Sequence, residues 1–139
     1  MTSTRFWLLS GLLLLSASTT QAQNNTTVLD RDMKVEDFED LTYPNVGRSA
    51  HVEGVVVVRV ELDDQGKVAY ATGISGPAAL IPDCLTNAKK WKFRPNAEKA
   101  AVIVYNFRLT GGISKSGCSH FTLELPNFAT VTSCVPQVQ

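Results

Sequence analysis

The sequence predicts an α+β domain of two layers: a three-stranded antiparallel sheet packed on a short helix, with a C-terminal β-hairpin extension. Three observations predict it. First, two alternating segments, 52–62 and 67–74, flank Asp63-Asp64-Gln65-Gly66 and read as a hairpin. Second, Ile81, Cys84, Leu85, Ala88 and Trp91 recur at helical spacing. Third, the segment 101–109 alternates again, with Ile103, Tyr105, Phe107 and Leu109 on one face.

The first strand is the strongest. Val56, Val58, Val60 and Leu62 share one face, while Glu53, Arg59 and Glu61 lie on the other. Val55 and Val57 break the alternation, so partial cover of the second face is expected. Gly66 supplies the positive φ that a tight hairpin turn requires. In the second strand Val68, Tyr70 and Ile74 share a face. Ser75-Gly76-Pro77 breaks the chain, and the helix starts near Leu80–Pro82, where proline is tolerated in a first turn. Lys89, Lys90, Lys92 and Arg94 gather at its C-terminal end, where cations complement the helix dipole. Upstream, 33–38 reads as a short strand or extended arm, Tyr43-Pro44 as a turn, and 45–50 as one helical turn. Downstream, 121–125 and 128–132 read as two strands around Pro126-Asn127.

The chain has 139 residues, 13 basic against 13 acidic, and 44% hydrophobic residues. That suits one globular domain and offers no charged surface for nucleic acid. Residues 1–22 read as a secretory signal peptide: Arg5, an apolar run from Phe6 to Leu15, then small and polar residues to Ala22. The run is shorter than the ~20 residues of a spanning helix, so export to the periplasm or cell envelope, without a retained membrane anchor, is expected. Residues 23–40 form an N-terminal arm, expected to be partly disordered, 41–110 the domain, and 111–139 a cysteine-containing extension.

The signposts Tyr43-Pro44, Glu53-Gly54-Val56, Asp64-x-Gly66-Lys67-Val68, Ser75-Gly76, Leu80, Trp91-Lys92-Phe93-x-Pro95 and Phe107 come in an order that resembles the TonB C-terminal domain family. The resemblance covers roughly Leu41 to Leu109. It implies a small antiparallel sheet backed by helices, which binds an extended segment of an outer-membrane receptor by strand addition and so serves outer-membrane transport. The physical basis is general, because an edge strand offers a row of unpaired N–H and C=O groups. The long proline-rich spacer of an energy transducer is not seen between the signal segment and the domain. A free, exported, single-domain variant is therefore expected.

The predicted partner-binding edge is the third strand, with Val102, Val104, Tyr105, Asn106 and Arg108 as contact residues. The partner is a protein: a TonB-dependent outer-membrane receptor by resemblance, or a second copy in a homodimer. The tail is the competing occupant of that edge, since 121–125 is long enough to cover it. The alternative function is a structural or cell-envelope-binding module that keeps the fold without energy transduction.

No catalysis, cofactor or metal is predicted. His51-x-Glu53 supplies at most two ligands, and Cys118, His120 and Cys134 supply three. In an exported chain, however, an oxidised cysteine pair is the stronger expectation. No serine sits in a nucleophile elbow and no phosphate-binding glycine motif is present. Of three cysteines, Cys118–Cys134 is the candidate disulfide and Cys84–Cys118 the rival.

Overall fold

The computed structural model describes residues 33–111, 118–124 and 126–135. The expected signal segment, 1–22, and residues 23–32 lie outside the described residues. The elements are β1 (Val35–Asp37), α1 (Asn45–Ser49), β2 (Gly54–Leu62), β3 (Val68–Ser75), α2 (Ile81–Ala88), β4 (Lys92–Phe93), β5 (Ala100–Thr110), β6 (His120–Glu124) and β7 (Phe128–Cys134).

Five strands form one mixed sheet in the order β3-β2-β5-β7-β6, and β1 pairs with β4 in a small second sheet. The α+β class is as expected. The predicted three-stranded antiparallel sheet is present as β3-β2-β5, but it is the first part of a larger sheet. The difference lies in the tail. β5 and β6 run in opposite directions but stand two positions apart, and β7 returns into the gap between them. β7 therefore pairs parallel with β5 and antiparallel with β6. A parallel neighbour arises here without the usual crossover helix, because β6 supplies the return path.

The core lies between the sheet and α2, with β1, β4 and α1 closing the rest of that face. Val56, Val58 and Val60 of β2, and Ile103, Tyr105 and Phe107 of β5, are fully or almost fully buried. Ala129 and Val131 of β7 join them. The second face of the sheet is barer than the valines imply: Val55 is 44% exposed, and among the described residues no element packs over it. In β3 a register shift between Glu61 and Leu62 turns Val68 inward, while Tyr70 stays outward at 62% exposure. A bulge separates their faces, which simple alternation had joined.

The hairpin turn is built as its residues dictate. Asp63 Oδ1 accepts N–H bonds from Gln65 (2.8 Å) and Lys67 (2.9 Å), and Gly66 takes φ +81°. The Gly66 carbonyl accepts the Phe93 N–H at 2.8 Å, which fastens the turn to β4. The described part of the arm, from Met33, packs against the domain. Met33 is buried, β1 pairs with β4, and the Arg94 N–H donates to the Lys34 carbonyl at 2.7 Å.

One polar group organises the aromatic core. Asn87, 4% exposed, accepts at Oδ1 from Trp91 Nε1 and from the Tyr105 hydroxyl, both at 2.9 Å, and donates from Nδ2 to the Glu39 carbonyl at 2.8 Å. These three bonds join helix, sheet and arm. Leucine at position 87 would strand two buried donors, each costing about 1–3 kcal/mol. Asn87→Leu is expected to lower unfolding free energy by about 3 kcal/mol in urea titration, with the slope unchanged.

Candidate partner-binding edges

The backbone of β5 has two sides. Along one it pairs with β2, from Gly54↔Phe107 to Glu61↔Ala100. Along the other, Val104–Thr110 pair with Phe128–Cys134 of the tail. The Val104 N–H donates to the Asn127 carbonyl at 2.9 Å, and Asn127 Nδ2 donates to the Val102 carbonyl at 2.7 Å. The Val102 N–H meets the Met33 sulfur at 3.4 Å. Alternation sends the Asn106 and Arg108 amides to the same side, toward β7.

The predicted edge is thus corrected. Val102, Val104, Asn106 and Arg108 do line the side of β5 that faces away from β2, but that side is occupied, because the tail completes its ladder. Tyr105 is misplaced for a second reason. Its side chain is on the core face, fully buried and bonded to Asn87, and burial raises its phenol pKa. The strand's own alternation carried this signal, since it groups Tyr105 with Ile103 and Phe107.

The tail is built in rather than laid on. Val131 is fully buried, which contributes about 1.5–3 kcal/mol. The Cys118–Cys134 disulfide, with Cα atoms 5.2 Å apart and a sequence separation of 16, fixes the top of the β6–β7 hairpin. A loop of that size contributes about 3 kcal/mol. A linked strand also competes at an effective concentration of order mM. A free peptide exchanging one ladder for another recovers none of these terms.

The disulfide settles two further expectations. It leaves Cys84 as a buried free thiol, so the rival Cys84–Cys118 pairing is not formed. Burial pushes the Cys84 pKa up to about 12, so the thiol stays protonated and inert at neutral pH. It also takes both sulfurs of Cys118 and Cys134 out of any thiolate ligand set. Of the other sequence candidates, Glu53 accepts the Leu109 N–H at its carboxylate, a structural role at the end of β5. The basic corner is partly answered by the acidic arm: Lys90 pairs with Glu39 at 2.7 Å and Lys92 with Glu36 at 2.8 Å. The Lys92 hydrogen bond holds the Glu36 carboxyl below its ordinary value. These pairs are exposed and add little stability.

In the five-stranded sheet two strands, β3 and β6, each pair on one side only among the described residues. Around β6 the two faces differ. His120, Thr122 and Glu124 are exposed on the outer face. On the core face Phe121 and Leu123 are half-buried, and Phe121 stacks on Phe38 at 5.9 Å between ring centroids. Phe38, 40% exposed, also touches Trp91 at 5.7 Å. The result is an apolar shelf beside a free strand edge. The sequence gives one hint of it, an isolated Phe38 within the acidic run Glu36–Asp40.

The strand–hairpin–helix–strand unit is matched directly by comparison: residues 39–109 fit the family model of the Gram-negative bacterial TonB protein C-terminal region. The chain belongs to the TonB C-terminal family. No curated protein and no solved structure matches it. TonB C-terminal domains are non-enzymatic protein-interaction domains of the periplasmic type, which act in envelope transport and count outer-membrane receptors among their partners. The matched TonB unit ends at Leu109, so β6, β7 and the disulfide lie outside it. Among the described residues no helix is long and apolar enough to cross a membrane.

Proposed function

We propose that this chain is a periplasmic TonB-like interaction module that holds an extended segment of a partner by strand addition at β6. The partner class is a TonB-dependent outer-membrane receptor. The observation that carries the reading is the free edge of β6 with its two unlike faces. By alternation from the β6–β7 pairing, the Phe121 and Leu123 amides point outward, while those of His120, Thr122 and Glu124 point at β7. An added strand bonds to Phe121 and Leu123 through its backbone. Its alternate side chains then rest on Phe38, Phe121 and Leu123, and the others lie beside His120, Thr122 and Glu124. The preferred ligand alternates apolar and polar residues.

A second reading is favoured by the closed side of β5: a structural or envelope-binding module that keeps the fold without receptor binding. Titration of the labelled protein with a peptide from a receptor's energy-coupling segment separates the two. Strand addition at β6 predicts amide shifts and slowed exchange at Phe121 and Leu123, with Asn106 and Arg108 unmoved. No shift at any residue supports the structural module. Shifts at 102–108 with loss of β7 pairing would mean that the partner displaces the tail instead.

A further inference from the structure

The two strands of the tail are anchored very unequally. β7 is bonded to β5 from Val104↔Phe128 to Thr110↔Cys134, and it buries Ala129, Val131 and Ser133. β6 pairs only with β7 among the described residues, and none of its side chains is fully buried. Its core face rests on Phe38, which is itself 40% exposed. A strand held in this way is marginal by itself, as an isolated two-stranded hairpin is.

The ends of β6 are held covalently instead. At its C-terminal end only residues 125–127 separate Glu124 from Phe128, so the chain itself keeps the two strands together there. At its N-terminal end the tie is the Cys118–Cys134 bond, from two residues before His120 to the last residue of β7. Closing a loop of this size shifts an ordering equilibrium by about a hundredfold, enough to decide whether a marginal strand forms. Both cysteines are only half-buried, as thiol–disulfide exchange requires. Cys84, fully buried in α2, stands apart from that exchange.

We propose that the Cys118–Cys134 disulfide is a redox latch on the β6 edge. Oxidised, the chain presents β6 for pairing; reduced, β6 comes away from β7 while β7 keeps its place on β5. What the edge holds rests on the strand-addition reading above; the latch itself does not. The reductant is a dithiol. Its thiolate attacks one sulfur of the bond and forms a mixed disulfide, and its second thiol then closes on the first. Cys118 and Cys134 are left as two thiols, having gained two electrons and two protons, and the dithiol ends as a disulfide. The edge is thus set in an oxidising compartment and withheld in a reducing one.

Amide hydrogen exchange of the full chain tests the latch without any ligand. Oxidised protein is compared with protein reduced by dithiothreitol and with the double variant Cys118→Ser/Cys134→Ser. The His120, Thr122 and Glu124 amides point at β7, and their exchange is expected to quicken at least about tenfold in both reduced forms. Asn106 and Arg108, bonded to β7, are expected to stay protected, and re-oxidation of the wild type is expected to restore β6. Equal protection of β6 in all forms overturns the proposal. So does an equal loss at Asn106 and Arg108, since the bond would then hold the whole tail. A peptide from a receptor's energy-coupling segment adds the functional arm. It is expected to bind the oxidised chain at least about tenfold more tightly than the reduced one, and equal binding to both overturns the latch. An oxidised chain that binds no peptide counts against strand addition at β6, and the exchange result still decides the latch.

Discussion

Replacing Val131 with aspartate is expected to lower the melting temperature by about 20 °C and to free the tail from the sheet. Val131 is fully buried on the core face of β7, opposite Phe107 on one side and Phe121 on the other. Both of these cross-strand neighbours are apolar, so a carboxylate must either be buried unpaired or drag β7 out. Either route costs about 4 kcal/mol or more. In a domain of this size each kcal/mol moves the midpoint by about 4–8 °C. Thr130→Asp, one residue away on the outer face, is expected to cost less than about 1 kcal/mol. Scanning calorimetry on the two variants reads the alternation of β7 directly. Equal losses would contradict the placement of its faces.

Gly66→Val is expected to be comparably damaging, for a local reason. Gly66 has φ +81°, and a Cβ there would stand 1.8 Å from the Phe93 carbonyl oxygen. That oxygen belongs to backbone held by its own hydrogen bonds and cannot swing aside. The turn must leave β4, and the Gly66–Phe93 bond is lost with it. Backbone strain of about 1–3 kcal/mol adds to the disturbed burial of Phe93. A total near 4 kcal/mol is expected by urea titration. Gly111, whose Cβ would meet nothing within 4 Å, is the control: Gly111→Ala is expected to be neutral.

These positions show what was legible in the chain. Gly66, the helix stripe and the alternation of β2 and β5 are local patterns, and each became the element expected of it. The tail was legible as two strands and as a disulfide pair. Its place was not, because insertion of β7 between β5 and β6 depends on Ala129 and Val131 pairing with Tyr105 and Phe107, far earlier in the sequence. Hairpin rules read neighbours along the chain and predict adjacency. β4 was hidden for another reason: two residues carry no period, and Lys92-Phe93 becomes a strand only because the arm lies against it. The candidate site shifted accordingly in one respect: the tail was already the competing occupant of the third strand, but 121–125 was the expected cover, and β7 lies there instead, which leaves β6 at the end of the sheet.

The central claim is that the third strand of this TonB-like unit is an interior strand, closed by its own tail. Amide hydrogen exchange in the free, oxidised protein tests it most directly, read at Val104, Asn106 and Arg108. These three amides point away from β2, so their protection reports on the tail alone, on Asn127 at Val104 and on β7 at the other two. Slow exchange at all three, comparable with that of Tyr105 and Phe107, is the predicted result. Rapid exchange at the three, beside a protected Tyr105 and Phe107, would mean that the edge is open and would contradict the account.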